Sequence, residues 1–138
     1  MPYRVLFAED AERDVEDLYR FIAGRDGAEM AERILTEIER ACAELEEFPA
    51  RGNIPKELAG IGISEYRELH HKPWRVIYRI MGTDVVVYCV VDGRRDMQSF
   101  LERRLIRLRL AYRSSSIPTY DLPAITPPLI ARGPFAGA

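Results

Sequence analysis

The sequence is poor in cysteine and histidine. Its two cysteines, Cys42 and Cys89, lie far apart inside apolar patterns, so we expect buried free thiols rather than a CxxC redox site or a zinc knuckle. The two histidines, His70 and His71, are adjacent, and in a strand their side chains would point to opposite faces of the sheet. We therefore expect neither a metal nor a small-molecule cofactor.

Long hydrophobic runs are also missing. No apolar run reaches the roughly 18 residues that a membrane span needs, and the N-terminal MPYRVLFAED has too short an apolar stretch for a secretory signal. We expect a cytoplasmic protein with no membrane partner. With 138 residues, of which 47% are hydrophobic and 30% charged, the chain has the composition of one folded domain.

The net charge of −2 conceals a strong segregation of charge along the chain. Residues 9–47 contain 14 acidic and 5 basic residues, whereas the rest of the chain contains 8 acidic and 15 basic residues. Basic charge on one part of a fold steers that face towards nucleic acid or an acidic protein partner. Eighteen of the 20 basic residues are arginine, which suits fork-like contacts to phosphate or carboxylate, although a GC-rich genome would produce the same bias.

Hydrophobic spacing predicts the element order β-α-α-β-β-β-α. This is an α+β fold in which two N-terminal helices pack on one face of a small, mainly antiparallel sheet. The first strand is YRVLF, residues 3–7. The first helix is expected to begin at an N-cap, Asp10, and to end at Gly24; the second has its apolar stripe over residues 31–45 and ends before Pro49.

Residues 48–64 are rich in glycine and proline, which predicts a long and mobile connection. Strands follow in SEYRELHHKP, in WRVIYRI and in VVVYCVV, the last apolar on both faces and therefore interior. A C-terminal helix is predicted from Met97 onwards, with Leu101, Leu105 and Leu108 at helical spacing.

The character of the chain changes after Tyr112. Residues 113–138 contain five prolines, a serine run and almost no charge, which is typical of an extended or disordered tail. We predict a folded domain over residues 1–112 and a Pro-rich tail over residues 113–138.

The hairpin over residues 74–96 has an apolar face and an arginine face. Trp74, Val76, Tyr78 and Ile80 alternate with Arg75, Ile77 and Arg79, so the first set can bury the stripes of the two helices. A charged guanidinium is not left buried without a partner, because its desolvation is costly.

We therefore expect Arg75 and Arg79 to line an open or partner-covered groove, with Arg94 and Arg95 at its edge. The alternative is a solvated sheet face on which Arg75 and Arg79 pair with nearby acids, namely Glu65, Glu68 or Asp96.

These elements together resemble the RelE/ParE superfamily of bacterial toxins from type II toxin–antitoxin systems. The resemblance covers residues 1–110 and is most specific in WRVIYRI and DVVVYCVVDGRRD, within residues 74–96. It implies a growth-inhibiting toxin that a cognate antitoxin neutralises. The residues expected to meet a protein partner are the arginines of the hairpin and of the final helix, namely Arg75, Arg79, Arg94, Arg95, Arg103, Arg104 and Arg107.

RelE-like members of the superfamily cut messenger RNA on the ribosome, whereas ParE-like members bind DNA gyrase without hydrolytic chemistry. RNA cleavage needs a base for the 2′-hydroxyl, cations for the phosphate and an acid for the leaving oxygen. Arg75 and Arg95 match positions at which RelE-like enzymes keep arginines, but Tyr66 and Glu68 stand where that pattern has lysines. The expected tyrosine of the last helix is also missing, since its position falls at residue 100 or 101.

The resemblance therefore favours a ParE-like toxin that binds gyrase and is not an enzyme. One alternative is a nuclease of ribosome-bound mRNA that uses His70 or His71 as the base, with Glu68, Arg75 and Arg95. A second alternative is a non-toxic binding module.

Overall fold

The computed structural model describes residues 3–106 and 125–126 of the chain. Its helices are α1 (Glu9–Asp26), α2 (Ala28–Ala43), α3 (Lys56–Ala59) and α4 (Met97–Leu101), the last continued by a π-helical turn at Glu102–Ile106. Its strands are β1 (Arg4–Ala8), β2 (Tyr66–His71), β3 (Trp74–Met81), β4 (Asp84–Asp92) and β5 (Ile125–Thr126). None of the helices in these ranges has the length and apolar character needed to cross a membrane.

The strands form one sheet in the order β2-β3-β4-β1-β5. Strands β2, β3 and β4 are joined antiparallel, whereas β1 lies parallel to β4, with Arg4 opposite Asp84. The predicted α+β fold with a mainly antiparallel sheet is confirmed. The first strand of the chain lies inside the sheet because β5 pairs with its other edge, opposite Phe7 and Ala8.

Helix α1 differs from the prediction at both ends. It begins at Glu9, so Asp10 lies in the first turn, where acidic side chains favour the helix dipole, and is not the N-cap. The helix continues through Gly24 to Asp26 and ends at Gly27, whose φ of 97° is accessible to glycine and strained for other residues. A glycine inside a helix weakens the helix without ending it, which explains the error at Gly24.

Helices α1 and α2 pack on one face of the sheet, as predicted. Their buried stripes meet the apolar alternation of β3, and the first core contains Leu18, Leu35, Trp74, Val76 and Tyr78. All five side chains are buried.

The opposite face of the sheet is covered as well, by α3, α4 and the π-helical turn. This second core contains Leu58, Ile77, Tyr88, Cys89 and Leu101. The pairing of β3 with β4 shifts between Ile77 and Tyr78, and the resulting bulge turns both Tyr88 and Cys89 towards this core. The expectation of an open arginine face on this side of the sheet is therefore wrong.

The connection over residues 48–64 is more structured than a long loop. It contains a 3-10 turn, Pro49–Arg51, and helix α3, whose Leu58 is completely buried. The hydroxyl of Tyr78 donates to the carbonyl of Pro49 at 2.7 Å and accepts from the amide of Gly52 at 3.1 Å. These bonds fix the start of the connection against the sheet.

Of the predicted tail, the structure describes only β5. The other residues of the tail lie outside the described residues, and so do Arg107 and Leu108 of the predicted C-terminal helix. The predicted boundary at residue 112 therefore stays a prediction.

Candidate functional site

A cavity of about 600 Å³ lies at the end of the sheet where the β2–β3 turn and the turn after β4 approach residues 53–56. Glu68 and Arg75 line its interior, and the exposed Lys56, His70 and Lys72 stand around its mouth. Chain segments distant in sequence meet here because β2 is the edge strand, and Asn53 forms a bridge with Glu68 of that strand. We call this cavity the Glu68 cleft.

Arg75 lies in the interior of the Glu68 cleft and is only 7% exposed. Its Nη1 and Nη2 donate to the two oxygens of Glu57, each at 2.9 Å, and its Nε donates to Glu68 Oε1 at 2.6 Å. Arg75 thus has two carboxylate partners, one from α3 and one from β2. Arg75 lines a groove with Arg94 at its edge, as expected, but it is buried there rather than open to solvent. The alternative expectation of a pairing with Glu68 is correct.

The charges of this cluster are mutually stabilised. The hydrogen bond from Arg75 lowers the pKa of Glu57, and the bonds to Glu57 and then Glu68 raise the pKa of Arg75, although burial acts against both charged groups. Two carboxylates around one guanidinium leave a net negative charge at the base of the cleft.

Glu68 is 3% exposed and lies close to three nitrogen-bearing side chains, of which Arg75 and Asn53 donate hydrogen bonds to it. Besides Arg75, Asn53 Nδ2 donates to its Oε2 at 2.9 Å, and His70 Nε2 lies 3.3 Å from the same oxygen. His71 is on the other face of the sheet, with its Nε2 3.1 Å from Glu37 Oε2 of α2. The structure therefore brings His70, Glu68 and Arg75 together and separates His71 from them.

Of the other predicted arginines of the hairpin, Arg94 shares this cleft with Arg75, whereas Arg79 and Arg95 do not line it. Arg79 is half-buried, with its guanidinium carbon 6.0 Å from the centre of the Tyr66 ring on the second-core face. Arg94 borders the cleft and is held by Asp92, at a shortest distance of 2.6 Å. Arg95 is exposed and covers the ring of Phe100 at 4.4 Å, beside a smaller groove along α1.

In the final helix, Arg103 is exposed, whereas Arg104 makes an internal ion pair with Asp14. Arg107 lies beyond the described residues. Seven arginines that the sequence groups as one partner surface therefore have several different surroundings, and a partner-binding role for them stays a prediction.

Three side chains around the mouth of the cleft, unlike His70, were not predicted from the sequence. Lys56, Lys72 and Asn53 lie in or next to turns, where no periodic pattern indicates the direction of a side chain. The presence of a carboxylate partner such as Glu57 could have been inferred, although not its position, because a buried Arg75 requires a carboxylate from some neighbouring segment. Over the described ranges, no group of three or more His, Cys, Asp or Glu side chains could hold a metal ion.

The sequence of residues 5–97 matches the family described as the ParE toxin of the type II toxin–antitoxin system parDE. The chain belongs to the ParE toxin family. A relative, Toxin ParE3 of Caulobacter vibrioides, is 29% identical over 101 residues, which are 73% of this chain and 97% of that protein. The resemblance to RelE/ParE superfamily toxins is confirmed.

Solved structures support the same fold. The chromosomal ParDE toxin–antitoxin system from P. aeruginosa superposes on this ParE-family chain with a TM-score of 0.56 at 16% identity, over 65% of this chain and 95% of the other. A free variant of E. coli toxin RelE with two arginines changed to alanine gives a TM-score of 0.52 at 16% identity, over 78% and 97% of the two chains. Both ParE-like and RelE-like toxins thus share this architecture.

Proposed function

We propose that this ParE-family chain is a toxin that arrests growth by binding DNA gyrase in the cytoplasm, and that a cognate antitoxin neutralises it. The family match and the similarity to Toxin ParE3 support the toxin role. The similarity to a ParDE system supports an antitoxin partner.

The observation that carries the choice of a binding mechanism is the pairing of Arg75 with two carboxylates. Stabilising the charge that develops on a phosphate requires donors aimed at the phosphate and free to bond it. Arg75 already gives its Nε, Nη1 and Nη2 hydrogens to Glu57 and Glu68. A phosphate at this position would have to displace two ionised carboxylates, and both would repel it.

Tyr66, which stands at a position where the RelE-like pattern has a lysine, also favours binding over cleavage. Tyr66 is buried in the second core, where its ring packs edge-on against Tyr88 at 5.6 Å. Desolvation raises the pKa of Tyr66, so its hydroxyl is a poor general acid or base near neutral pH.

A second function, cleavage of ribosome-bound mRNA, is favoured by one specific feature. His70 Nε2 lies 3.3 Å from Glu68 Oε2 at the cleft that Lys56 and Lys72 also line. An imidazole oriented by a carboxylate can take the proton of a 2′-hydroxyl. In that mechanism Glu68 would orient His70, and Arg75 would hold Glu68 in place.

Expression of the chain in a bacterium without the antitoxin discriminates these functions. We expect loss of negative supercoiling in plasmid DNA, and we expect purified chain to inhibit supercoiling by gyrase in vitro, with no cuts in ribosome-bound messages. His70→Ala should leave both gyrase effects unchanged. Message cuts that disappear in His70→Ala would favour the nuclease, and normal growth with normal supercoiling would favour a non-toxic binding module.

A further inference from the structure

The Glu68 cleft has features that gyrase binding does not require. Lys56 and Lys72 are exposed at its mouth and have no ion pair among residues 3–106, whereas Arg94 beside them is bound to Asp92. Unpaired cations beside a cavity of about 600 Å³ attract an anionic group of a partner.

The base of the cleft cannot bind that anion itself. Arg75 is shared between Glu57 and Glu68, and Glu68 also accepts from Asn53 and lies beside His70. The anion is therefore held at the mouth, by ammonium groups that act as mobile point charges. Such groups suit separate carboxylates better than the bidentate fork of an arginine does.

The wall of the cleft is apolar. Ile54 is 38% exposed there, next to Pro73 and the largely buried Trp74. An exposed isoleucine beside two lysines offers one apolar contact together with two charged ones. This is the combination that an extended acidic peptide with an apolar side chain would use.

We infer that the Glu68 cleft binds an acidic segment of the antitoxin, with carboxylates on Lys56 and Lys72 and an apolar side chain against Ile54. This inference rests on the proposed antitoxin partner but not on gyrase as the target. It places the contact at the two lysines and not at Arg75, which is already paired with Glu57 and Glu68.

Nucleic acid fits the cleft less well than an acidic peptide. Single-stranded nucleic acids are bound by stacking bases on exposed aromatic rings. Of the two aromatic rings that line this cleft among the described residues, Trp74 is 5% exposed, which leaves only the small imidazole of His70 accessible for stacking.

The test is a double charge reversal, Lys56→Glu with Lys72→Glu, in the complete chain. Affinity is measured by calorimetry for the antitoxin encoded beside the toxin gene, at two salt concentrations. We expect the dissociation constant to rise at least about tenfold and its salt dependence to weaken, because two attractive contacts become repulsive. Ile54→Ala should weaken binding by a further few fold through its lost apolar contact.

The matched control is Arg33→Glu with Arg40→Glu, which changes the net charge by the same amount at exposed positions of α2. This control should bind the antitoxin nearly as well as the wild-type chain. Equal affinity of the lysine variant and the wild type, or equal weakening in both double variants, would overturn the inference. The inference would also be overturned if the double lysine variant kept its affinity for the antitoxin and lost affinity only for a short single-stranded RNA probe.

The proposed gyrase target is tested separately with the wild-type chain. A chain that leaves gyrase active but binds the antitoxin through Lys56 and Lys72 would refute the target and support the cleft assignment. Thermal unfolding of each variant shows whether a loss of affinity comes from a loss of fold, and Lys56→Gln with Lys72→Gln gives a milder second variant with an intermediate expected effect.

Discussion

The guanidinium of Arg104 binds both carboxylate oxygens of Asp14, with Nη1–Oδ2 at 3.0 Å and Nη2–Oδ1 at 3.1 Å. This pair connects the C-terminal helical segment to α1 across 90 positions of sequence. Arg104 also donates to the carbonyl of Tyr88 at 3.1 Å, at the bulge of β4, and Asp14 accepts from the amide of Val90 at 3.0 Å. One ion pair therefore joins three elements of the fold.

Asp14→Asn should lower the free energy of unfolding by about 3 kcal/mol, since it leaves the mostly buried Arg104 with only the more distant carboxylate of Asp10, at 3.9 Å. The measurement is urea unfolding followed by fluorescence at pH 7. Arg13→Ala is the control, because Arg13 makes only exposed ion pairs with Glu9 and Asp10 and its loss should cost at most about 1 kcal/mol. Equal losses in the two variants would show that the Asp14 pair is not special.

Two glycines give opposite expectations for the same substitution. A Cβ at Gly52 would lie 2.4 Å from the carbonyl oxygen of Glu68 and 2.7 Å from the hydroxyl of Tyr78, whereas a Cβ at Gly24 meets nothing within 4 Å. Gly52→Ala should destabilise by about 1–3 kcal/mol through overpacking. Gly24→Ala should stabilise by about 0.5–1 kcal/mol, because alanine favours the helix interior.

Denaturant midpoints of these two variants against the wild type provide the measurement. A Gly52→Ala protein as stable as the wild type would mean that the connection over residues 48–64 does not pack closely against Glu68 and Tyr78 of the sheet. The same experiment therefore tests whether this connection is an ordered part of the fold.

The sequence predicts the elements of this fold better than it predicts the surroundings of its arginines. Apolar spacing of 3.6 and 2 residues identifies α1, α2 and β3, because burial on one face imposes that period. It also predicts that Trp74 and Val76 face the helices, which the first core confirms.

The site depends on information that no local period carries. Nothing in the spacing around Glu57 indicates that it reaches Arg75, since that contact depends on how α3 lies across the second face of the sheet. The bulge at Tyr88 likewise changes which side chains face α4, and a regular alternation cannot anticipate it. An interior strand that is apolar on both faces does, however, indicate that the second face is covered.

Acid should weaken the link between α3 and the sheet. Glu57 ordinarily titrates at 4.5, and hydrogen bonding to Arg75 lowers its pKa in the folded chain. Above pH 4.5 its contribution to stability is fully present; it is lost as the pH falls through the lower folded pKa, because the unfolded chain then binds the proton more readily.

Melting temperatures of the wild type and of Glu57→Gln should consequently differ most near pH 7 and converge as the pH falls below 4.5. Glu32→Gln, at an exposed position of α2, serves as the control and should follow the wild type throughout. A constant difference between wild type and Glu57→Gln at all pH values would contradict the ionised pair.

Both thiols should be unreactive in the folded chain. Burial raises the pKa of Cys42 to about 12 and raises the pKa of Cys89 further, so neither forms appreciable thiolate at pH 8. We expect no reaction with a thiol-specific disulfide reagent over the time in which an unfolded sample reacts at two thiols per chain. Rapid labelling of one thiol without denaturant would mean that one of the two cores opens locally.

Strand β1 is made first during translation, yet its neighbour β4 follows much later, with 80 positions between Arg4 and Asp84. Parallel pairing over such a separation is slow, because a long stretch of chain must lose conformational entropy before the stabilising contact forms. Ribosomes that stop before the β4 codons therefore release chains in which β1 has no strand to join. The position of one short strand thus makes the fold dependent on synthesis through Asp92, and a message truncated before that point yields no finished sheet.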